Sequence, residues 1–135
     1  PLRPGLAISV DAHPLNRGLL LQGQDSIGWE KSGWIDAIFS MDYRKRLDVE
    51  TAQRAAAQLG VPARMTMLIS TFDLVDGQPV ARDPQLLGDY VELARRLWPG
   101  SGIAFYHRKQ LTDAQAKTLR GSVFAEDALA FWPSP

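Results

Sequence analysis

The sequence predicts an α/β chain made of four consecutive strand-helix units with parallel strands. Short apolar runs alternate with longer helix-like segments, and the units recur roughly every 30 to 40 residues, as βαβ units do. No low-complexity stretch or shift in composition marks a second domain. We therefore expect one α/β unit over residues 1–135.

The predicted strands are short apolar runs bounded by turn residues. The apolar residues of the second run do not alternate with polar ones, which is typical of a strand covered on both faces. A long loop through His13, Pro14 and Asn16 follows the first strand. In chain order, the four predicted strands are Leu6 to Val10, Trp34 to Met41, Arg64 to Thr71 and Ile103 to Tyr106.

Start and stop signals mark the predicted helices. The clearest helix begins after Asp48 as N-cap and ends at Gly60, and its buried stripe is Val49, Ala52, Ala56 and Leu59. An earlier helix is predicted to start at Asp25 or Ser26 and to end at Gly33. A third follows the turn Asp76-Gly77 and starts at Asp83-Pro84. The last starts with the capping box of Thr112 and Gln115, and its inward residues are Leu119, Val123 and Phe124.

Composition excludes several function classes. Fifteen basic residues balance fifteen acidic ones, and Arg44 to Arg46 is the longest basic run, which argues against nucleic acid as a partner. The chain has no cysteine and only His13 and His107, so we expect no disulfide and no thiolate or histidine-rich metal site. No Gly-rich phosphate loop is present either, and we expect neither a metal nor a cofactor. No apolar stretch approaches the roughly 20 residues of a membrane span, and no signal-peptide pattern opens the chain.

The predicted sheet has two potential edges. A chain that starts on a strand, without an initiator methionine, and ends on a helix is typical of a piece cut from a closed sheet. We therefore expect strands five to eight of a (β/α)8 barrel whose first half is missing. Its partner would be that N-terminal half-barrel or a second copy. A small free-standing doubly wound α/β domain is the alternative.

Three segments resemble secreted bacterial glycoside-hydrolase-like (β/α)8 barrels. The stretch from Trp29 to Tyr43, WEKSGWIDAIFSMDY, is similar to their sixth unit, in which a tryptophan-bearing helix runs into a strand that begins Gly-hydrophobic-Ile-Asp. Residues 102–107, GIAFYH, resemble the eighth unit, and residues 8–12, ISVDA, the fifth strand. The resemblance covers nearly the whole chain and implies a polysaccharide ligand and an extracellular or periplasmic location.

One departure limits what the resemblance implies. Many retaining glycosidases of this fold carry a glutamate at the end of strand seven, where this chain has Thr71-Phe72-Asp73, and no predicted strand ends in glutamate. A two-glutamate mechanism is therefore not supported. Glycoside hydrolysis is one expected function, and a non-catalytic carbohydrate-binding or assembly module is the other.

The candidate site residues follow the predicted strands, because active sites of (β/α)8 barrels lie at the carboxyl ends of the strands. We expect Asp11 and Asp42 to be the catalytic carboxylates, one as proton donor and the other as base or nucleophile. The residues expected to bind substrate are His13, Tyr43, Asp73, Tyr106 and His107.

Each candidate also has a structural interpretation. Asp11 could form a local turn, Asp42 could pair with Arg44 or Lys45, and Asp73 could lie in a solvated loop. The basic run could bind an anionic glycan or simply be solvated. Asp36 is expected to stabilise the opposite edge of the sheet, and core packing is the expected role of Trp29, Trp34, Trp98 and Trp132.

Overall fold

The computed structural model describes residues 6–13, 15–60, 64–97, 99 and 102–126. Its strands are β1 Ser9–Ala12, β2 Ala37–Asp42, β3 Met65–Ser70, β4 Phe72–Val75, β5 Gln78–Ala81 and β6 Ile103–Tyr106. Its α-helices are α1 Asn16–Gln22, α2 Ser26–Lys31, α3 Val49–Ala56, α4 Pro84–Leu97 and α5 Asp113–Gly121, and a 3₁₀ turn spans Arg108–Gln110. None of the described helices is long and apolar enough to cross a membrane.

Four parallel strands form the main sheet, in the order β1-β2-β3-β6. Every neighbouring pair is parallel, so the prediction of an α/β chain with four parallel strands is confirmed. The spatial order follows the chain order, and the described sheet therefore contains no point at which the strand order reverses. Strands β1 and β6 each have one strand neighbour, and these two strands are the edges of the sheet.

The two faces of this sheet differ in what covers them, because side chains alternate between faces along a strand. One face, which we call the helix-covered face, packs into a single core with residues of α2, α3, α4 and α5; its strand residues are Val10, Ala12, Ile38, Met65, Met67, Ile69, Ile103 and Phe105. The other, the second face, contributes nothing to that core; its residues include Asp11, Phe39, Met41, Thr66, Leu68, Ser70, Ala104 and Tyr106.

Two strands begin three residues later than predicted. β1 starts at Ser9, and the apolar side chains of Leu6 and Ile8 before it are exposed. β2 starts at Ala37, and Trp34 lies outside it with 67% of its surface exposed, so the prediction that Trp34 packs in the core is wrong. In both cases apolar residues directly precede the strand without joining it.

Two elements were not predicted. Helix α1 occupies part of the loop expected after the first strand, and the β4–β5 hairpin occupies the segment expected to be only a turn. The turn itself was predicted correctly: Asp76 and Gly77 both have positive φ, as a type I′ hairpin turn requires.

The predicted N-caps of α3 and α5 are confirmed, whereas α3 ends at Ala56, before the predicted stop at Gly60. The Asp48 carboxylate accepts a hydrogen bond from the backbone N–H of Thr51 at 3.0 Å and begins α3. Thr112 and Gln115 form the reciprocal capping box of α5. These caps matter for function because they fix where the loops after β2 and β6 end.

Carboxylates also join elements at the amino edge of the sheet. Asp36 accepts a 2.8 Å hydrogen bond from the backbone N–H of Ile8 and ties β2 to the segment before β1, in agreement with its predicted stabilising role. The buried Glu30 accepts hydrogen bonds from the N–H of Gly60 at 2.8 Å and from Arg64 at 3.4 Å. Trp29 of α2 packs on the core, whereas Trp98 and Trp132 lie outside the described residues.

Candidate functional site

An aromatic cluster lies at the carboxyl ends of the parallel strands. The rings of Tyr43, directly after β2, and Tyr106, the last residue of β6, are stacked with centroids 4.9 Å apart. Phe72 lies 6.2 Å from the Tyr106 ring and 5.8 Å from the His107 ring. Tyr43 and Tyr106, which we call the tyrosine pair, remain 36% and 43% exposed and present ring surface to solvent.

The sheet register explains why these two tyrosines meet. Tyr106 is the Cα partner of Ser70, and Tyr43 follows Asp42, which is the partner of Ile69. The tyrosines therefore lie at the same level on either side of Ser70, and both belong to the second face. The small Ser70 side chain is buried and turns back to donate a 2.6 Å hydrogen bond to the carbonyl of Phe72. Room is thereby left for the two rings to stack.

Asp11 lies close enough to the tyrosine pair to affect it electrostatically. Partial burial, the charge of Asp11 and the neighbouring Tyr106 together raise the pKa of Tyr43 above its ordinary value. The Tyr43 hydroxyl is therefore protonated at neutral pH and can donate a hydrogen bond. Asp11 itself is exposed on the second face. Its Cα partner is Phe39, four residues before Tyr43, so Asp11 lies on the same face as the tyrosine pair but further from the carboxyl edge.

Asp42 has a different environment, on the helix-covered side of the same edge. It is 4% exposed, and its two oxygens together accept four hydrogen bonds. Arg44 donates from Nε at 2.8 Å, from Nη2 at 3.0 Å and from its backbone N–H at 3.3 Å, while Asp48 donates its backbone N–H at 2.7 Å. The carboxylate therefore holds the loop from β2 to α3 in place, as the predicted alternative of pairing with Arg44 implies.

The side chains of Arg82 and Tyr90 donate a second set of hydrogen bonds to the backbone of that loop. The side chain of Arg82 is fully buried, and its Nη2 donates to the carbonyls of Tyr43 at 2.7 Å and Arg44 at 2.9 Å. The Tyr90 hydroxyl of α4 donates to the next carbonyl, that of Lys45. Three consecutive carbonyls are thus bound by two side chains, and the backbone after Tyr43 has a fixed path.

Asp73 pairs with this arginine instead of facing the tyrosine pair. Its Oδ1 accepts a 3.0 Å hydrogen bond from the Nε of Arg82, with which it forms an ion pair. Gln115 extends the network by donating from Nε2 to the carbonyls of Thr71 and Arg82, both at 2.8 Å. Asp73 therefore lies in a β4 position that supports the loops of the edge.

A cavity of about 390 Å³ opens beside the tyrosine pair, between β2 and the start of α3. His13, Asp42, Tyr43 and Arg44 are among its lining residues. The half-buried His13 ring has its Nδ1 3.2 Å from the carbonyl of Met41. His13 is therefore placed at the edge, as predicted, but on the side of Asp42.

The structure divides the predicted site residues into two groups. Tyr43, Tyr106 and His107 belong to the aromatic cluster, and Asp11 acts on Tyr43 through its charge. Asp42 instead holds the loop after β2, Asp73 binds Arg82, and His13 approaches the Met41 carbonyl of β2. By the alternation of the strands, Asp11 and Asp42 lie on opposite faces of the sheet. The assignment of a functional site to this edge, and of catalytic and binding roles to these residues, stays a prediction.

Sequence reasoning missed Phe72, Arg82 and Tyr90. Phe72 follows the third strand as part of a hairpin, and its ring belonged to no predicted element. Arg82 precedes the Asp83-Pro84 helix start by one residue, a position at which an exposed arginine is expected. Tyr90 was recognised as part of the buried stripe of its helix, but periodicity gives no sign of the hydrogen bond that its hydroxyl makes.

Comparisons with protein-family models, with curated proteins and with solved structures found no match to this chain. Among the described residues, no three histidine or acidic side chains come together in a group that could hold a metal ion.

Proposed function

We propose that this chain is one half of a glycoside-hydrolase-like (β/α)8 barrel and that its carboxyl edge binds a polysaccharide. The tyrosine pair is the observation that carries this proposal. Exposed aromatic rings offer apolar faces on which the C–H groups of a sugar ring can pack, and Asp11 and the Tyr43 hydroxyl can accept and donate hydrogen bonds to sugar hydroxyls.

The sheet topology supports the barrel part of the proposal. Four parallel strands in chain order, with helices packed on one face, are the repeating arrangement of a (β/α)8 barrel, whereas doubly wound sheets reverse their strand order. The two edge strands need neighbours to close the sheet. A further four strands, from an N-terminal half-barrel or from a second copy, would supply them.

Asp11 is the carboxylate that we assign to the bound glycan. Hydrolysis of a glycosidic bond requires two carboxyl groups that flank the same bond, one of which protonates the leaving oxygen. The sheet separates Asp11 from Asp42, and Asp42 already accepts four hydrogen bonds. In a hydrolytic barrel the second carboxyl group would therefore come from the other four strands.

A carbohydrate-binding or assembly module without hydrolysis is the second candidate. The absence of glutamate from the strand ends and the engagement of Asp42 favour it. The two candidates share the tyrosine pair and differ in whether Asp11 takes part in bond cleavage.

Glycan affinity tests the shared part of the proposal. We expect Tyr106→Ala and Tyr43→Ala each to weaken the binding of soluble polysaccharides by about two- to tenfold in isothermal titration, since an aromatic contact contributes about 0.5–1.5 kcal/mol. Trp34→Ala is the control, because Trp34 is the more exposed aromatic ring and precedes β2 at the opposite edge. Unchanged affinity in both tyrosine variants, or an equal loss in Trp34→Ala, would refute the assignment.

Activity of the completed barrel separates the two candidates. If the barrel hydrolyses glycans, Asp11→Asn should abolish cleavage and leave retention of the glycan intact. Asp36→Asn should lower thermal stability more than rate, since Asp36 lies at the other edge of the sheet. If the Asp11→Asn variant still cleaves the glycan, Asp11 has no part in bond cleavage and only its role in glycan binding remains.

A further inference from the structure

We infer that the glycan is anionic, a polymer of uronate type, and that two basic loops beside the tyrosine pair select it. This inference rests on the proposed glycan binding and adds the chemical class of the ligand. Each tyrosine of the pair is followed directly by three basic or titratable residues, namely Arg44, Lys45 and Arg46 after Tyr43, and His107, Arg108 and Lys109 after Tyr106.

The sheet brings these two basic loops together. They follow β2 and β6, whose tyrosines stack at 4.9 Å, so both loops leave the same edge from neighbouring points. The side chains of Lys45, Arg46, Arg108 and Lys109 are exposed. A sugar ring on the tyrosine pair would therefore lie between two groups of cations.

Arginine side chains offset part of the acidic charge near the pair. Asp42 and Asp48 share the single charge of Arg44, at 2.8 and 2.7 Å, and Asp73 pairs with Arg82. Lys45, Arg46, Arg108 and Lys109, in contrast, form no ion pair within the described part of the chain. The chain as a whole is neutral, so this local excess of positive charge arises from the fold and not from composition.

The backbone of the loop after β2 is fixed by hydrogen bonds, and its basic side chains are exposed. Arg82 and Tyr90 bind the carbonyls of residues 43–45 from inside, so the backbone is anchored while Lys45 and Arg46 face solvent. The second loop is a short 3₁₀ turn that the N–H of Gln110 closes by donating to the carbonyl of His107 at 3.0 Å. Such preorganisation lowers the entropy lost on binding.

The position of Asp11 favours a glycan over a nucleic acid. Its charge acts on Tyr43, where it would repel the phosphates of a strand stacked on the tyrosine pair. A sugar ring in the same place can donate its hydroxyls to Asp11 and direct its carboxylate toward the basic loops. Uronate residues combine both features in one ring.

The test compares polymers that differ only in charge. Polygalacturonate, alginate and hyaluronate are titrated against the full chain, each beside its carboxyl-reduced, neutral form and beside single-stranded poly-dT. We expect the acidic polymer of at least one pair to bind roughly tenfold more tightly than its neutral form. Lys45→Gln/Arg46→Gln and Arg108→Gln/Lys109→Gln should each remove most of that difference and leave the affinity for the neutral form within about twofold.

The matched control is Lys31→Gln/Lys117→Gln, which removes the same charge from exposed positions on α2 and α5. An equal loss of affinity in this control would overturn the inference, because net charge alone would then explain binding. Equal binding of acidic and neutral polymers overturns it too but leaves the glycan proposal standing. Tighter binding of poly-dT than of every uronate polymer would assign the edge to nucleic acid, and failure to bind any polymer would refute both proposals.

Discussion

Asp11 and Asp42 occupy equivalent places in sequence but opposite places in the fold. Both lie at or near the ends of neighbouring parallel strands, and both follow apolar residues. Asp11 is exposed on the second face, where its charge acts on Tyr43, whereas Asp42 is buried on the helix-covered face and bonded to Arg44 and to the start of α3. Because side chains alternate between the two faces of a strand, one carboxylate is accessible to a ligand and the other holds a loop in place.

This contrast shows what strand-end position can and cannot predict. A residue at the carboxyl end of a parallel strand lies at the edge where active sites form. Its odd or even position along the strand decides which face of the sheet it occupies. On the second face, a carboxylate meets ring surface and solvent. On the helix-covered face, it meets the N–H groups at the start of the following helix, which satisfy it locally.

The largest effect that we predict is on stability. Asp42→Ala should lower the free energy of unfolding by about 2–3 kcal/mol, because the backbone N–H of Asp48 and the guanidinium of Arg44 lose their acceptor. Asp11→Ala should change it by less than about 0.5 kcal/mol, as is usual for an exposed residue. Urea unfolding monitored by tryptophan fluorescence measures both.

The asparagine variants sharpen this comparison. Asp42→Asn keeps the shape of the side chain but replaces one acceptor oxygen by a donor that faces other donors, so it should also destabilise the fold. Asp11→Asn should not. Equal stability of all four variants and the wild-type chain would contradict the structural role of Asp42 and restore it as a catalytic candidate.

The second prediction compares the two faces of the sheet. The second face retains partly exposed apolar residues between two edge strands, so we expect the isolated chain to self-associate or to bind a complementary half-barrel. Phe39→Lys should weaken association roughly tenfold or more, the equivalent of about 1.4 kcal/mol, as measured by sedimentation equilibrium.

Trp34→Lys is the matched control for this prediction, because it changes an exposed aromatic residue outside the second face in the same way. It should leave association within about twofold. A wild-type chain that is a monodisperse, cooperatively folding monomer at tens of micromolar would favour the free-standing α/β domain instead.

The third prediction compares the contributions to stability of two tyrosine hydroxyls, that of Tyr90 in α4 and that of Tyr106 at the end of β6. Tyr90→Phe should cost about 1 kcal/mol of stability, since it removes the hydrogen bond to the carbonyl of Lys45. Tyr106→Phe should be nearly neutral in urea unfolding, because the Tyr106 hydroxyl makes no hydrogen bond within the described part of the chain and the ring stack is kept. A larger loss for Tyr106→Phe would show that its hydroxyl, and not its ring, is the structural group.

Local signals predicted the fold better than they predicted the site. The caps at Asp48 and Thr112 and the bounds of the last strand were correct because each depends on neighbouring residues. The contacts of the edge depend on pairs far apart in sequence, such as Arg82 with the Tyr43 carbonyl and Gln115 with the Thr71 carbonyl. No periodicity encodes such pairs, and so the separation of Asp11 from Asp42 emerged only from the register of the strands.

The smallest effect that we predict is a loss of folding stability at low pH. The hydrogen bond from Thr51 and the bonds from Arg44 lower the pKa of Asp48 from 3.8 to about 2. A carboxyl group whose pKa is depressed in the folded state adds stability above its unfolded pKa and loses it as pH falls toward the folded value. Because Asp48 is partly exposed, we expect about 0.5 kcal/mol, fully present near pH 5 and lost between roughly pH 4 and pH 2. Asp48→Asn keeps the cap and removes the charge, so its stability deficit in urea should shrink across that window. A deficit that stays constant with pH would assign the effect to the shape of the cap and not to its charge.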